Sequence, residues 1–156
     1  MHFILFVFLI PPACKDSSKA TKTTNHLQLF DGQGEQLFFE AGENNYSLNI
    51  FLSTHCDSCL GILENMHSME SKHQTSNVNL LIVDNEDSIE SIKNFYNIRS
   101  KIFSVSPLVL LENNITEIPY MIVTDSSGGI IKRAPISNKN EILDKLQQYS
   151  MKHALQ

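Results

Sequence analysis

Tyr46-Ser47-Leu48-Asn49-Ile50-Phe51-Leu52-Ser53-Thr54-His55-Cys56-Asp57-Ser58-Cys59-Leu60-Gly61-Ile62-Leu63-Glu64-Asn65-Met66-His67-Ser68-Met69 is the stretch on which the rest of the chain turns. Ahead of the cysteines, Tyr46, Leu48, Ile50 and Leu52 recur at every second position, which predicts a half-buried strand. Behind them, Cys59, Ile62, Leu63, Met66 and Glu70 follow the three-four spacing of a helix. The period changes at Cys56 and Cys59, so a pair of thiols stands where a strand ends and a helix begins. Two cysteines separated by two residues can close a disulfide across the first helical turn. The orphan amides of that turn favour a thiolate over a thiol. This is the chemistry of thiol–disulfide exchange.

Composition narrows the alternatives. The chain of 156 residues is long enough for one domain that buries its own core. An apolar fraction of 42% is that of a soluble globular protein, and a net charge of −5 supplies no basic stripe, which argues against nucleic acid as a partner. Three cysteines, two of them in one tight motif, do not make a disulfide scaffold.

The third cysteine, Cys14, follows an unbroken apolar run from Phe3 to Ile10. A bilayer span needs about 20 apolar residues, so the run predicts a signal peptide over 1–13. Pro11-Pro12-Ala13-Cys14 looks like the processing site of a bacterial lipoprotein, with Cys14 as the acylated residue. The usual leucine three positions earlier is Pro11, however, and His2 stands where lysines are expected. Residues 14–25, small and polar, then predict a tether of about 18 Å root-mean-square length. The folded domain is expected over 26–152.

Leu27, Leu29 and Phe30, then Asp31-Gly32-Gln33-Gly34, then Leu37 to Phe39 predict a hairpin ahead of the central strand. The helix after the cysteines should fade near 74–77. Val78 to Val83 predicts a strand buried on both faces. Asp87 and Glu90 predict a capping box for a helix with Ile89, Ile92, Phe95 and Tyr96 on one side. Residues 97–117 have no clean period, and Pro107 forbids one long element; a short strand or a turn of helix is expected there. Ile118 to Val123, the turn Asp125-Ser126-Ser127-Gly128-Gly129 and Ile130-Ile131 predict an antiparallel hairpin at a sheet edge. Asn138 and Glu141 predict the start of a last helix that buries Ile142, Leu143, Leu146 and Tyr149.

This order of elements resembles the thioredoxin-like fold over about residues 27–149. That implies an α/β, three-layer α/β/α sandwich with a central mixed sheet and an added N-terminal β-hairpin. The hairpin, the Asp-x-x-Gly turn and the export signal are similar to the TlpA, or methylamine-utilisation-type, membrane-tethered thiol–disulfide oxidoreductases. The resemblance implies Cys56 as attacking thiol, Cys59 as resolving thiol and Pro119 as a cis proline facing the disulfide, with Ile118 offering its backbone to an extended substrate. It implies no cofactor beyond the Cys56–Cys59 disulfide and no metal. The implied partners are disulfide-containing substrate proteins, a membrane thiol donor and, through an N-terminal lipid at Cys14, the membrane itself, in a bacterial periplasm or cell envelope.

The chain departs from that pattern. His55 stands where the family usually has Trp, and Asp57-Ser58 where it usually has Gly-Pro. Ile50 replaces the buried acid that thioredoxin carries six residues before the first cysteine. A helix amino terminus favours the Cys56 thiolate by about 0.3 to 2 kcal/mol; the Asp57 charge opposes it by on the order of 1 kcal/mol. His55, if protonated, favours thiolate again. His55 and Asp57 are therefore tuning residues, and the balance points to a reductase or isomerase rather than a strong oxidant.

Other readings of the same residues are a peroxiredoxin-like peroxidase, for which Ser53 fits the hydroxyl position but Asn49 replaces the proline, and a non-enzymatic module binding copper or a partner chain. A structural zinc site wants four ligands, and no second cysteine pair exists. Copper would suit Cys56, Cys59 and His55 with Met66 and Met69 helping, but the methionines have helical spacing and read as core. His67 and His73 read as solvated, and Arg99 and Arg133 as surface charges. Two Asn-x-Ser/Thr triplets, at 45–47 and 114–116, are discounted as glycosylation sites given the lipoprotein-like start.

Overall fold

The computed structural model describes residues 25–37, 46–72, 77–84, 89–138, 140–142, 144–145 and 148. The signal peptide, Cys14, all of the tether but Asn25, the far end of the expected second strand (Phe38 and Phe39), His73, Asp87, Leu143, Leu146, Tyr149 and the expected domain end at 152 lie outside them.

Two short strands, β1 (Leu29–Phe30) and β2 (Gln36–Leu37), form the expected amino-terminal hairpin. The Asp31 carboxylate accepts the amides of Gln33 at 3.0 Å and Glu35 at 2.8 Å, and Gly34 turns the chain at φ 84°. Such a turn needs a residue free of the Cβ penalty. The main sheet has the order β5-β4-β3-β6-β7. β3 (Tyr46–Leu52) is central; β4 (Val78–Ile82) and β5 (Lys101–Ser104) continue parallel to it on one side, while β6 (Tyr120–Asp125) and β7 (Ile130–Pro135) run antiparallel on the other. The sheet is mixed, and the β6–β7 hairpin forms its edge as expected.

The helices α1 (Asp57–Lys72) and α2 (Ile89–Phe95) link successive parallel strands, and α3 (Leu108–Glu112) precedes the return to β6. Cys59, Ile62, Leu63, Met66 and Met69 of α1 pack with Ile92 of α2, with Ile142 and with Leu48, Ile50, Leu52, Leu80 and Ile82 on one face of the sheet. Val109 of α3 and Leu29 of the hairpin pack with Phe51, Leu81 and Ile122 on the other. Fully burying each such aliphatic side chain is worth about 1.5–3 kcal/mol, so both faces hold the layers together.

Three local expectations change. β3 is not half-buried: all seven of its residues are buried. Its buried Asn49 survives this because it pairs with groups on the two neighbouring strands. Asn49 Nδ2 donates to Ile122 O and Thr124 Oγ1, each at 3.2 Å, and Asn79 Nδ2 donates to Asn49 Oδ1 at 2.9 Å, so no buried amide is left unsatisfied in that row. Phe95 does not share the buried side of α2; it is 81% exposed and meets Tyr96 edge-on. The helix ends there in a left-handed Asn97 (φ 51°), with Ile98 N–H bonded to Lys93 O and Asn97 N–H to Asn94 O. That Schellman closure turns Ile98, not Phe95, into the core. Arg133 is not a free surface charge: its Nη1 donates to Asn113 O at 3.0 Å.

The last helix begins as read. Asn138 Oδ1 accepts the amides of Asn140 and Glu141, and Glu141 Oε2 accepts Ser137 N–H. Among the described residues, no helix is long and apolar enough to cross a membrane.

Candidate functional site: a dithiol at the start of α1

β3 delivers the chain to the carboxyl end of the parallel strands, where a turn over 53–56 feeds α1. Cys56 N–H bonds to Ser53 O at 3.4 Å and Leu60 N–H to Cys56 O at 3.0 Å, so Cys56 is the residue on which the helix opens. Its own sulfur caps that opening, accepting Cys59 N–H at 3.3 Å. An N-cap acceptor of this kind binds an orphan donor of the first turn, and a thiolate does so better than a thiol. The sulfur also lies 3.2 Å from Ser58 Oγ and 3.7 Å from Ile118 O, to which the thiol can donate.

The two sulfurs have opposite surroundings. Cys56 is half-buried; Cys59 is fully buried on the apolar stripe of α1. Partial burial pushes the Cys56 thiol up, but hydrogen bonds from the Cys59 thiol, the Ser58 hydroxyl and the amides of both residues outweigh it. They hold Cys56 below the usual thiol range. For Cys59, burial dominates, and with the neighbouring Cys56 and the Asp84 charge it pushes the thiol up to about 12. Both cysteines are free thiols. The arrangement can therefore present one reactive sulfur to a partner while keeping a second protonated behind it.

Pro119 is buried, the Ile118–Pro119 bond is cis, and the half-buried Ile118 brings its carbonyl to Cys56. Cys56, Cys59, Ile118 and Pro119 thus come together although the last two are far away in sequence. His55 is 88% exposed, and Asp57 is exposed at the first helical position. A shallow recess of about 250 Å³ runs beside the motif, lined by Ser58, Gly61, Ile62, Pro119 and Ile136 among others.

Met66 and Met69 are core residues, 1% and 3% exposed, and stand on the buried face of α1 rather than at the thiols. The Ser53 hydroxyl donates to Asp84 Oδ1 at 3.2 Å and accepts His55 N–H at 3.1 Å.

Asp84 is the site residue that sequence reasoning missed. It follows β4, and its Oδ2 accepts Thr54 N–H at 2.6 Å and Thr54 Oγ1 at 2.7 Å. His55 Nε2 stands 4.0 Å from Oδ1, and the Asp84 side chain is only 9% exposed. The available signal was an acid directly after an apolar run read as a parallel strand, whose carboxyl end must lie beside that of β3.

No family model and no curated protein sequence matches the chain. Solved structures do. A thioredoxin-like protein from Aeropyrum pernix aligns with a TM-score of 0.61 at 12% identity, over 80% of this chain and 89% of that one. StoA from Bacillus subtilis aligns at 0.54 and 18% identity, over 79% and 94%. A secreted disulfide oxidoreductase from Mycobacterium tuberculosis, homologous to E. coli DsbE, aligns at 0.58 and 8% identity, over 80% and 96%. With its mixed five-stranded sheet, its helices on both faces and its amino-terminal hairpin, the chain has the thioredoxin-like α/β fold.

Proposed function

We propose that the protein is a thiol–disulfide oxidoreductase that reduces or isomerises disulfides of exported proteins through Cys56 and Cys59. The observation that carries this reading is the division of labour between the sulfurs. Cys56 is accessible and held below the usual thiol range, whereas Cys59 is buried and held at about 12.

The Cys56 thiolate attacks one sulfur of a substrate disulfide, forming a Cys56–substrate bond and expelling the other substrate sulfur, which takes up a proton. Cys59 then loses its proton and attacks the Cys56 sulfur. The mixed disulfide breaks, the second substrate thiol leaves, and the two electrons gained by the substrate have come from the Cys56/Cys59 pair. Ile118 offers backbone groups beside Pro119 on which an extended substrate segment can lie, and His55 and Asp57 adjust the charge around the attacking sulfur. The pair needs no other cofactor, and a membrane thiol donor would recharge it. Export by the 1–13 segment, a lipid on Cys14 and the 14–25 tether would place the 26–152 domain at a bacterial cell envelope.

The peroxidase reading is less well supported, because the Ser53 hydroxyl is engaged by Asp84 and the His55 amide rather than facing the Cys56 sulfur. The copper reading loses the help of Met66 and Met69 to the core.

The test equilibrates the chain carrying Cys14→Ser against glutathione buffers, traps thiols by alkylation and measures the reduction potential of the pair. A reversible intramolecular disulfide poised well below roughly −120 mV, the value of a strong oxidant, is the expected result. Failure to form that disulfide overturns the proposal. Peroxide consumption dependent on Cys56, or stoichiometric Cu(I) retention without disulfide turnover, would replace it.

A further inference from the structure

We propose that Asp84 is the positioning residue of this dithiol: its carboxylate fixes the 53–55 turn, and through that turn it sets the helix-capping geometry of the Cys56 sulfur. The inference uses the exchange reading only in taking Cys56 as the attacking thiol.

The carboxylate is committed to one short segment. Oδ2 takes both donors of Thr54, its amide at 2.6 Å and its hydroxyl at 2.7 Å, and Oδ1 takes the Ser53 hydroxyl at 3.2 Å. The same Ser53 hydroxyl accepts His55 N–H at 3.1 Å. Every residue of the turn is thus tied, directly or through one hydroxyl, to a single side chain just past the end of the neighbouring strand β4. Asp84 is itself anchored from the other side, where its carbonyl accepts Ser104 Oγ at 2.8 Å. A carboxylate 9% exposed needs such donors to offset its lost hydration, and charge-assisted bonds at these distances are the strong ones.

What hangs on the turn is the placement of Cys56. Its amide bonds back to Ser53 O at 3.4 Å, and its sulfur reaches forward to Cys59 N–H at 3.3 Å. Both contacts require the chain to leave β3 in one conformation. Without the carboxylate, the Thr54 amide and two hydroxyls lose their acceptor, the turn is free to rotate toward solvent, and the sulfur no longer sits over the first turn of α1. Among the described residues, the titratable groups around Cys56 are Cys59 and Asp57 on α1, His55 on the turn and Asp84 after β4. Asp84 also opposes a thiolate on Cys59, and Asp84→Asn, which removes the charge but keeps an acceptor, separates its charge from its hydrogen bonds.

The experiment measures the pH profile of Cys56 alkylation by iodoacetamide in the reduced full chain carrying Cys14→Ser, alone and with Asp84→Ala or Asp84→Asn. Asp84→Ala removes acceptor and charge; Asp84→Asn keeps a carbonyl for the Thr54 amide. With Asp84→Ala the profile should move to higher pH and alkylation at neutral pH should slow by about five- to tenfold, the size of a lost helix cap. Asp84→Asn should restore most of that rate. A profile with Asp84→Ala that superimposes on the parent's, or no rescue by Asp84→Asn, overturns the proposal.

Should Asp84→Ala fail to fold, the pair Ser53→Ala with Thr54→Val strips the side-chain donors while leaving the carboxylate. An upward shift there supports the proposal, and an unmoved profile overturns it. Because alkylation of a single thiol needs no disulfide, these outcomes stand apart from the glutathione experiment. A parent that forms no intramolecular disulfide sinks the exchange reading and leaves the role of Asp84 in holding Cys56 to be scored on its own.

Discussion

The two ends of α1 are tied down by the same device and put to different uses. Near its carboxyl end, Glu70 accepts the Arg99 amide on both carboxylate oxygens, at 3.0 and 2.9 Å, and the Ser100 amide at 2.6 Å. That fixes the chain where it enters β5. At the amino end, Asp84 does the same for the turn that precedes the helix. Each is an acid that accepts backbone N–H from a segment about thirty residues away in sequence, two amides at Glu70 and one amide with two hydroxyls at Asp84. Only at the amino end does a reactive atom hang on the fixed turn. A carboxylate clamp is in itself a structural part; it gains a chemical consequence from what stands next to it.

The largest effect that tests this contrast is Cys56→Ser. Turnover of any disulfide substrate should vanish, while the thermal midpoint stays within a few degrees, since the half-buried hydroxyl still accepts Cys59 N–H. Turnover assays and a melting curve on the same preparation decide it. Residual turnover above that of Cys59→Ser would place the attacking sulfur elsewhere.

Next is the middle of the helix. Leu63 is fully buried against the sheet, and Leu63→Ala should cost about 2–5 kcal/mol in denaturant unfolding. The reduction potential of the pair should move by less than about 30 mV, a factor of ten in equilibrium constant for this couple. A larger shift would mean that core packing, not the two ends, governs the chemistry. Smaller again is Glu70→Ala, which leaves the amides of Arg99 and the buried Ser100 without their acceptor, worth about 1–3 kcal/mol. Its Cys56 alkylation profile should match the parent's. If it shifts as Asp84→Ala should, the contrast between the ends collapses.

Much of this was readable in advance, and the reason lies in periodicity. Tyr46, Leu48, Ile50 and Leu52 followed by Ile62, Leu63 and Met66 announce a strand-to-helix junction at Cys56, whereas the place of Ile118-Pro119 opposite it came from the resemblance to the thioredoxin-like fold and not from any period in the chain. Burial of the whole of β3 was hidden, because the polar residues between its apolar ones suggest a strand with one wet face; the partners of Asn49, Asn79 and Thr124, lie on other strands and meet it only in the register of the sheet. Asp84 was hidden for the same reason, its partners lying thirty residues earlier. Residues 97–117 contained a missed local signal. Asn97-Ile98 and Asn114-Ile115 are both left-handed Asn closures, with φ 51° and 53°, that drive the following isoleucine into the core. Read as helix stops, they bracket β5 and α3.

The smallest effect concerns a bond within the amino end itself. Ser58 Oγ lies 3.2 Å from the Cys56 sulfur, and among the groups that hold this thiol down its hydroxyl is second to the Cys59 thiol. A hydroxyl donating to sulfur stabilises thiolate, so Ser58→Ala should raise the Cys56 thiol from its depressed position. Iodoacetamide alkylation should then be slower below the titration, by about two- to tenfold for one hydrogen bond of ordinary strength, and the two rates should converge above it, where both proteins are fully thiolate. Ser58 is exposed and bonds to nothing in the 53–55 turn, so Asp84 keeps its clamp in this variant. The shift should therefore add to that of Asp84→Ala when the changes are combined, as independent contributions do. Additivity would mean that the turn sets where the sulfur sits and the helix residues set what it finds there. A combined shift no larger than that of Asp84→Ala alone would mean that Ser58 reaches the sulfur only while the clamp holds, which makes Asp84 the single control of the Cys56 thiol.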